Sequence, residues 1–142
     1  MDTQRDLPLY FQDFEDLRRK NYLYVDKTQY LAQLVTRYKD FFLSRPHRFG
    51  KSLFLSTLRA YFEGKKELFK GLYIEQAEEE IARRQNREPW EASPVLYFDL
   101  NAKDYLTGKT LQERLTLQLD FLETQYNIEN KYDAPDDRFI YI

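Results

Sequence analysis

The stretch from Phe41 to Phe62 constrains this chain more than any other, because it joins an apolar segment, a basic loop and a helical pattern. The apolar segment is Phe41-Phe42-Leu43, and the helical pattern follows Gly50-Lys51-Ser52 and ends at Gly64. A strand, a loop, Gly-Lys-Ser and a helix, in that order, are the parts of a phosphate-binding loop. The stretch therefore predicts an α/β fold with an anion bound where the helix begins.

Each part of this loop has a chemical reason. The first N–H groups of a helix lack partners within the helix, and the helix dipole adds partial positive charge, so an anion is stabilised there. Gly50 would let the backbone approach phosphate oxygens that a Cβ would obstruct. Lys51, our candidate catalytic residue, would contact the outer phosphates, and the Ser52 hydroxyl would ligate Mg²⁺. The cofactors that we expect are therefore ATP and Mg²⁺.

The loop departs from the usual phosphate-binding pattern, which has a first glycine five residues before Gly50. This chain has Arg45 there, and Gly-Lys-Ser alone is a weak signal. A solvated lysine in the first turn of a surface helix therefore remains an alternative for Lys51. Pro46 stiffens the loop and removes one N–H donor, which changes the cradle available to a phosphate.

The chain resembles the predicted AAA-ATPase-like family, which is found largely in anaerobic bacteria. That family writes its loop as Arg-Pro-Arg-Arg-Phe-Gly-Lys-Ser, so Arg45 is its usual residue and only His47 departs from it. The resemblance runs from Leu7 onward. Its other matching segments are Asp13-Phe14-Glu15 with Leu17-Arg18, Tyr24-Val25-Asp26-Lys27-Thr28, Tyr61-Phe62-Glu63-Gly64 with Leu68-Phe69, and Pro94-Val95-Leu96-Tyr97-Phe98-Asp99-Leu100.

The resemblance implies that residues 1–142 are the amino-terminal part of a P-loop domain. Its expected parts are a lead-in segment and helix (1–38), a strand, P-loop and helix (39–64), and a helix, second core strand, helix and tail (65–142). The implied fold is a P-loop NTPase-like parallel sheet with flanking helices, incomplete at the carboxy-terminal side. Family members usually carry a domain resembling the PD-(D/E)XK nucleases, so a downstream domain of that kind is an expected partner.

The resemblance also implies which residues bind the nucleotide. In related ATPases the stretch that matches Tyr24 to Thr28 wraps the base, so Asp26 could hold the base or position the loop. The alternative is that Asp26 only caps the helix that follows. The expected nucleotide-binding set is Asp26 together with Arg45, Pro46, His47, Arg48, Phe49, Gly50, Lys51, Ser52 and Leu53.

A P-loop ATPase further needs a strand-end carboxylate for Mg²⁺ and usually an acidic group to activate water. Asp99 is the only candidate for the metal-linked carboxylate, and Leu100 and Asn101 follow it instead of Glu. In the family, a strand ending in Asp-Glu lies further downstream, so Asp99 is either metal-linked or a structural strand-end residue. We therefore expect a truncated domain that binds nucleotide and acts as an ATPase only within a longer chain.

Hydrophobic periodicity predicts the elements along the chain. The expected helices cover Asp13 to Lys20, Gln29 to Arg37, the segment after Gly50, Ile74 to Arg87 and Leu111 to Tyr126. Glu78 to Glu80 are assigned to a solvated helix face. The apolar runs from Lys39 to Leu43 and from Pro94 to Leu100 are predicted core strands, and the open edge of so small a sheet could pair copies into a homo-oligomer.

The amino-acid composition excludes some kinds of site and partner. Net charge is −2, and with no cysteine and one histidine the chain can build neither disulfides nor a zinc site. The amino terminus lacks an apolar run, so we expect no membrane partner and a cytoplasmic location.

Two functions other than nucleotide binding remain as alternatives. The basic loop could bind nucleic acid or protein without nucleotide, with Arg45, His47, Arg48 and Lys51 beside Phe49 as the nucleic-acid contacts, or the chain could be an inert truncated remnant.

Overall fold

A computed structural model describes residues 6–7, 13–37, 40–46, 49–98, 100, 108–129 and 132–140. The chain divides into two compact units, Met1–Val95 and Leu96–Ile142. The described elements of the first unit are α1 (Phe14–Arg19), α2 (Thr28–Arg37), α3 (Lys51–Phe62), a 3₁₀ helix (Lys66–Phe69) and α4 (Tyr73–Gln85). Those of the second unit are α5 (Gly108–Tyr126) and α6 (Pro135–Ile140).

The helix predicted from Asp13 to Lys20 is confirmed as α1. Asp13 caps it in an extended conformation, and its carboxylate accepts a hydrogen bond of 3.0 Å from the Asp16 N–H. Phe14 and Leu17 are 0% and 1% exposed, so both face the interior. The short α1 is therefore fixed at one end by its cap and along one face by burial.

Aromatic rings form the centre of the first unit. Phe69, at the end of the 3₁₀ helix, is fully buried, and its ring centroid lies 4.9 Å from that of Phe14 and 5.1 Å from that of Trp90. Tyr61 of α3 meets Trp90 edge-on at 5.7 Å. These spacings are typical of favourable aromatic pairs. The rings join α1, α3 and the 3₁₀ helix into one core.

The assignment of Glu78 to a solvated face is wrong, because this residue of α4 is fully buried. One carboxylate oxygen accepts hydrogen bonds from Arg87 Nη1 at 2.7 Å and from the Trp90 N–H at 3.0 Å. The other accepts one from the Tyr61 hydroxyl at 2.6 Å. Burial, reinforced by the Glu78 carboxylate, raises the pKa of Tyr61 above its ordinary value. Glu78 shares the inner face of α4 with Ile74, at i−4, and Ile81, at i+3, so its position in the helical period decides its burial.

A close backbone contact follows α3. Gly64 has φ of +71°, and a Cβ built on it would lie 2.8 Å from the carbonyl oxygen of Trp90. Glycine is therefore needed both for its conformation and for its lack of a side chain. The contact, together with a hydrogen bond of 2.7 Å from the Ser93 N–H to the Phe62 carbonyl, holds the segment after α4 against the end of α3.

The second unit has a buried ion pair. Arg138 of α6 is 3% exposed and donates to Glu123 of α5 through Nε at 2.9 Å and through Nη2 at 2.6 Å. Nη2 also reaches Asp120 at 2.6 Å. Leu119 and Leu122 of α5 are buried as the helical period predicts. Among the described residues of both units, no helix has the length and apolar character that a membrane span requires.

The predicted parallel sheet is wrong, since the elements in the described ranges are helical and none is a strand. Residues 40–43, expected as a buried strand, carry Phe41 and Phe42 at 47% and 91% exposure. Residues 94–98 and 100, expected as the second strand, are likewise neither strand nor helix. An apolar run is stable as a strand only when neighbouring strands pair with its backbone groups. The described residues therefore offer no sheet edge through which copies could pair.

Candidate functional site

The site begins where α3 starts. Gly50 precedes the helix with φ of 77° and ψ of 18°, a left-handed conformation, and no side chain caps the helix. A Cβ on Gly50 would meet no atom within 4 Å, so the glycine is required here by its backbone conformation. The Phe54 N–H donates to the Gly50 carbonyl at 2.9 Å, which closes the first turn. No described residue accepts a hydrogen bond from the α3 N–H groups before Phe54, so these donors are available to an anion.

The Lys51 ammonium lies on the loop side of this helix start. Its Nζ donates a hydrogen bond of 2.8 Å to the carbonyl oxygen of Arg45, six residues earlier in the chain. A carbonyl is a neutral acceptor, so this contact leaves the positive charge of the ammonium uncompensated. Lys51 therefore presents a cation beside the N terminus of α3, where an anion would also meet the helix dipole.

A cavity of about 380 Å³ opens beside this helix start, within the first unit. The volume falls in the range of about 300–1,000 Å³ that is common for small-molecule sites. Among the described residues, its lining contains cationic, amide and tyrosine side chains but no carboxylate. It consists of Leu17, Leu23, Tyr24, Val25, Lys27, Tyr30, Gln33, Leu34, Leu43, Arg45, Phe49, Gly50, Lys51, Leu53 and Phe54. The cavity suits a ligand with a flat apolar part and negative charge.

The structure brings together some of the residues predicted to bind nucleotide. Those that line the cavity are Arg45, Phe49, Gly50, Lys51 and Leu53. Ser52 and Pro46 are exposed and stand outside the lining, although Ser52 belongs to the first turn of α3. His47, Arg48 and Asp99 lie outside the described residues.

Asp26 caps two helices at once. Its Oδ1 accepts hydrogen bonds from the Thr28 N–H at 2.8 Å and the Thr28 hydroxyl at 2.7 Å, at the start of α2. Its Oδ2 accepts one of 2.7 Å from the Tyr73 N–H, the first residue of α4. The Thr28 hydroxyl in turn accepts from the Ile74 N–H at 3.1 Å. The capping alternative for Asp26 therefore has direct structural support, whereas its contact with a base stays a prediction.

We expect Asp26→Asn to lower the free energy of unfolding by about 1–2 kcal/mol at pH 7, because the amide has one acceptor oxygen for two helix starts. Burial alone would raise the pKa of Asp26, but the hydrogen bonds from Thr28 and Tyr73 outweigh it and hold the pKa below its ordinary value. The advantage over Asn is thus complete above about pH 3.9, the ordinary aspartate value, and is lost as pH falls through the lower native pKa. Urea unfolding at pH 7 and near pH 2 measures this, and an equal difference at both would contradict the charged cap.

The contribution of α2 to the site was not predicted from the sequence. Tyr30, Gln33 and Leu34 line the cavity from that helix, and Lys27 lines it from the residue just before. Positions 27, 30 and 34 have the spacing of one helical face, so the sequence could have indicated that they lie on the same side. Tyr30 of this face is 47% exposed.

The chain belongs to the predicted AAA-ATPase family, whose model matches residues 8–142. A relative is the uncharacterized protein in the vnfD 5' region of Azotobacter chroococcum mcd 1, which is 47% identical over 73 residues. The match covers 51% of this chain and 14% of that protein, so it spans a small part of the relative's length. No solved structure matches the chain significantly.

Proposed function

We propose that this chain binds a nucleoside triphosphate, with its phosphates against the start of α3 and its base in the adjoining cavity. The observation that carries the proposal is that an N terminus without a side-chain cap shares Gly50 and Lys51 with an apolar cavity. Membership of the predicted AAA-ATPase family supports the same ligand class. A nucleotide has the two ends that these two features would recognise.

The phosphate end would be bound by charge and by backbone donors. The Lys51 ammonium, 2.8 Å from the Arg45 carbonyl, would exchange that neutral acceptor for a phosphate oxygen. Arg45 adds positive charge at the cavity, and the N–H groups of the first turn of α3 add donors. Arg48, which lies outside the described residues, is proposed for the same purpose as Arg45.

The base would enter the apolar part of the cavity. Phe49 and Tyr30 line the cavity while 63% and 47% exposed, and Phe54 lines it while half-buried. Exposed aromatic rings at a cavity are suited to stacking on a flat heterocycle. Asp26 is outside the lining, so we propose that it supports the site by fixing the backbone next to Lys27.

Mg²⁺ would arrive with the nucleotide. The described residues contain no group of three His, Cys, Asp or Glu side chains that could hold a metal ion by themselves. The ion would therefore be held mainly by phosphate oxygens, with the exposed Ser52 hydroxyl as the protein ligand that we propose. Bound in this way, Mg²⁺ supplies neutralisation of phosphate charge. A link from Asp99 to the ion stays a prediction.

We also propose that this chain alone does not hydrolyse the nucleotide. Hydrolysis needs a group that orients or activates the attacking water, usually an acidic side chain, and the described lining of the cavity has no carboxylate. Turnover would then depend on residues supplied by a longer polypeptide. The nuclease-like partner domain that the resemblance implies belongs to the same proposal.

Lys51→Ala should weaken binding of a fluorescent ATP analogue in the presence of Mg²⁺ by roughly tenfold or more, because a charged phosphate contact is lost. Fluorescence anisotropy of the analogue, titrated with the full 142-residue chain, measures this. The matched control is Lys66→Ala, since Lys66 is an exposed lysine of the same unit outside the cavity lining. It should bind as the wild type does.

Two results would contradict these proposals. If wild type and Lys51→Ala bind the analogue equally, or neither binds, the nucleotide site at α3 is wrong. If the wild-type chain releases phosphate steadily from ATP and Lys51→Ala does not, the binding site stands but the absence of hydrolysis is wrong.

One observation favours a second function, the binding of single-stranded nucleic acid. Phe49 is 63% exposed next to the basic loop, and such a ring can stack a base while cations contact phosphates. A steep salt dependence of binding to single-stranded DNA, together with no Mg²⁺-dependent ATP binding, would favour this function over the nucleotide site.

A further inference from the structure

We propose that Lys27 is an additional phosphate-binding residue of this site. It lies in the segment before α2 and not in the loop before α3. The proposal rests on the nucleotide-binding function above and extends it to a residue outside the Gly-Lys-Ser loop. The ligand would then need a charged phosphate chain long enough to contact cations from two separate segments of the protein.

The first support is position. Lys27 lines the same cavity as Arg45 and Lys51, although 18 or more residues separate it from them in the chain. Val25 lines the cavity as well, whereas Asp26 between them does not and turns its carboxylate to the helix starts. Alternate residues of this short non-helical segment thus have different tasks. Asp26 holds the fold, and its two neighbours face the ligand space.

The second support is that the backbone at Lys27 is fixed before any ligand binds. On one side, Asp26 is held by Thr28 at 2.8 Å and Tyr73 at 2.7 Å. On the other, the carbonyl of Lys27 itself accepts a hydrogen bond of 3.0 Å from the Tyr30 N–H. A side chain on a fixed backbone loses less entropy on binding than one on a loose loop, so the site is partly preorganised.

The third support is electrostatic. A lysine next to the positive end of a helix dipole is unfavourable, and the first turn of α2 itself contains no acidic residue, so the nearest carboxylate is the Asp26 cap. Lys65 shows the usual arrangement, with ion pairs to Glu15 at 2.6 Å and to Glu63 at 2.8 Å. Lys27 forms no such pair with the carboxylates in the described ranges, and its neighbour Asp26 is engaged in capping. Its charge is thus left for an anion from outside the chain.

Competition titrations with ATP, AMP and adenosine against the fluorescent ATP analogue test this proposal on the full chain. Lys27→Met should weaken ATP binding by about tenfold and leave adenosine binding unchanged, because only the charged contact is lost. Lys27→Arg should recover most of the ATP affinity. Lys70→Met, at an exposed lysine of the same unit outside the cavity lining, is the matched control and should bind all three ligands as the wild type does.

The outcomes separate this inference from the function on which it rests. If Lys51→Ala loses ATP binding while Lys27→Met keeps wild-type affinity, the nucleotide site stands and the assignment of Lys27 is overturned. If Lys27→Met weakens adenosine and ATP by the same factor, and lowers the unfolding temperature, Lys27 is structural and the assignment is again overturned. If the wild type binds none of the three ligands, the proposed function itself fails.

Discussion

Phe69→Ala is expected to lower the free energy of unfolding of the first unit by about 3–5 kcal/mol, the usual cost of removing a buried phenylalanine ring. Phe69 is fully buried, and its ring lies 4.9 Å from Phe14, 5.1 Å from Trp90 and 6.3 Å from Tyr61 between ring centroids. Those neighbours come from different elements, so they cannot all move together into the space left by the ring. Most of the cavity would therefore remain open.

Urea unfolding followed by the fluorescence of Trp90 measures this change. Trp90 is the single tryptophan of the chain and packs against Phe69, so its emission reports on the first unit. Phe42→Ala is the control, because that ring is 91% exposed and its loss should change the free energy by no more than about 0.5 kcal/mol. Equal effects of the two substitutions would show that Phe69 is not at the centre of the core.

Glu78→Gln is expected to cost about 3 kcal/mol of unfolding free energy at pH 7. The carboxylate accepts from Arg87, Trp90 and Tyr61, and an amide offers a single acceptor oxygen and introduces donors. Even if the Tyr61 hydroxyl turned to accept from the amide, the charge of Arg87 would lose its anionic partner in a site of 0% exposure. Breaking a buried ion pair from one side is costly for this reason.

Glu79→Gln gives a matched control for this second substitution. Glu79 is the next residue of α4 and is exposed, so the same chemical change there should leave the urea midpoint nearly unchanged. A similar midpoint for the two variants would mean that Glu78 is solvated, as its place in an acidic run first indicated. A loss at Glu78 alone would confirm that the buried network stabilises the first unit.

The sequence was sufficient for most helices of the first unit. The apolar spacing that predicts a helix from Asp13 to Lys20 places its start within one residue of α1, and the structure shows Asp13 as the cap there. The predicted bounds of the α2 and α4 helices agree with the structure within about two residues. These signals are local, since a cap and a helical period depend only on neighbours in the chain.

The strands were wrong because a strand is not a local structure. Phe41-Phe42-Leu43 has the apolar character of a buried strand, but its stability depends on partners that the run itself does not encode. Glu78 was misplaced for a related reason. Three consecutive acidic residues are typical of a solvated surface, and the burial of Glu78 depends on donors from Tyr61, Arg87 and Trp90 elsewhere in the chain.

The site was predicted in part. The loop residues Arg45, Phe49, Gly50 and Lys51 line one cavity, whereas their binding of a nucleotide stays a prediction. The lining of that cavity also includes residues of α2 and Lys27, and a motif of contiguous residues carries no information about which helix will pack beside it. Tertiary packing places these residues, Lys27 among them, at the cavity.

The double cap at Asp26 connects the helix that lines the cavity with the core of the first unit. The Asp26 carboxylate accepts hydrogen bonds at the starts of two helices, one that lines the cavity and one that carries the fully buried Glu78. Acidification would then loosen both helices in a single event, so the cavity should not open independently of the core. In such an arrangement, ligand occupancy and core stability rise and fall together.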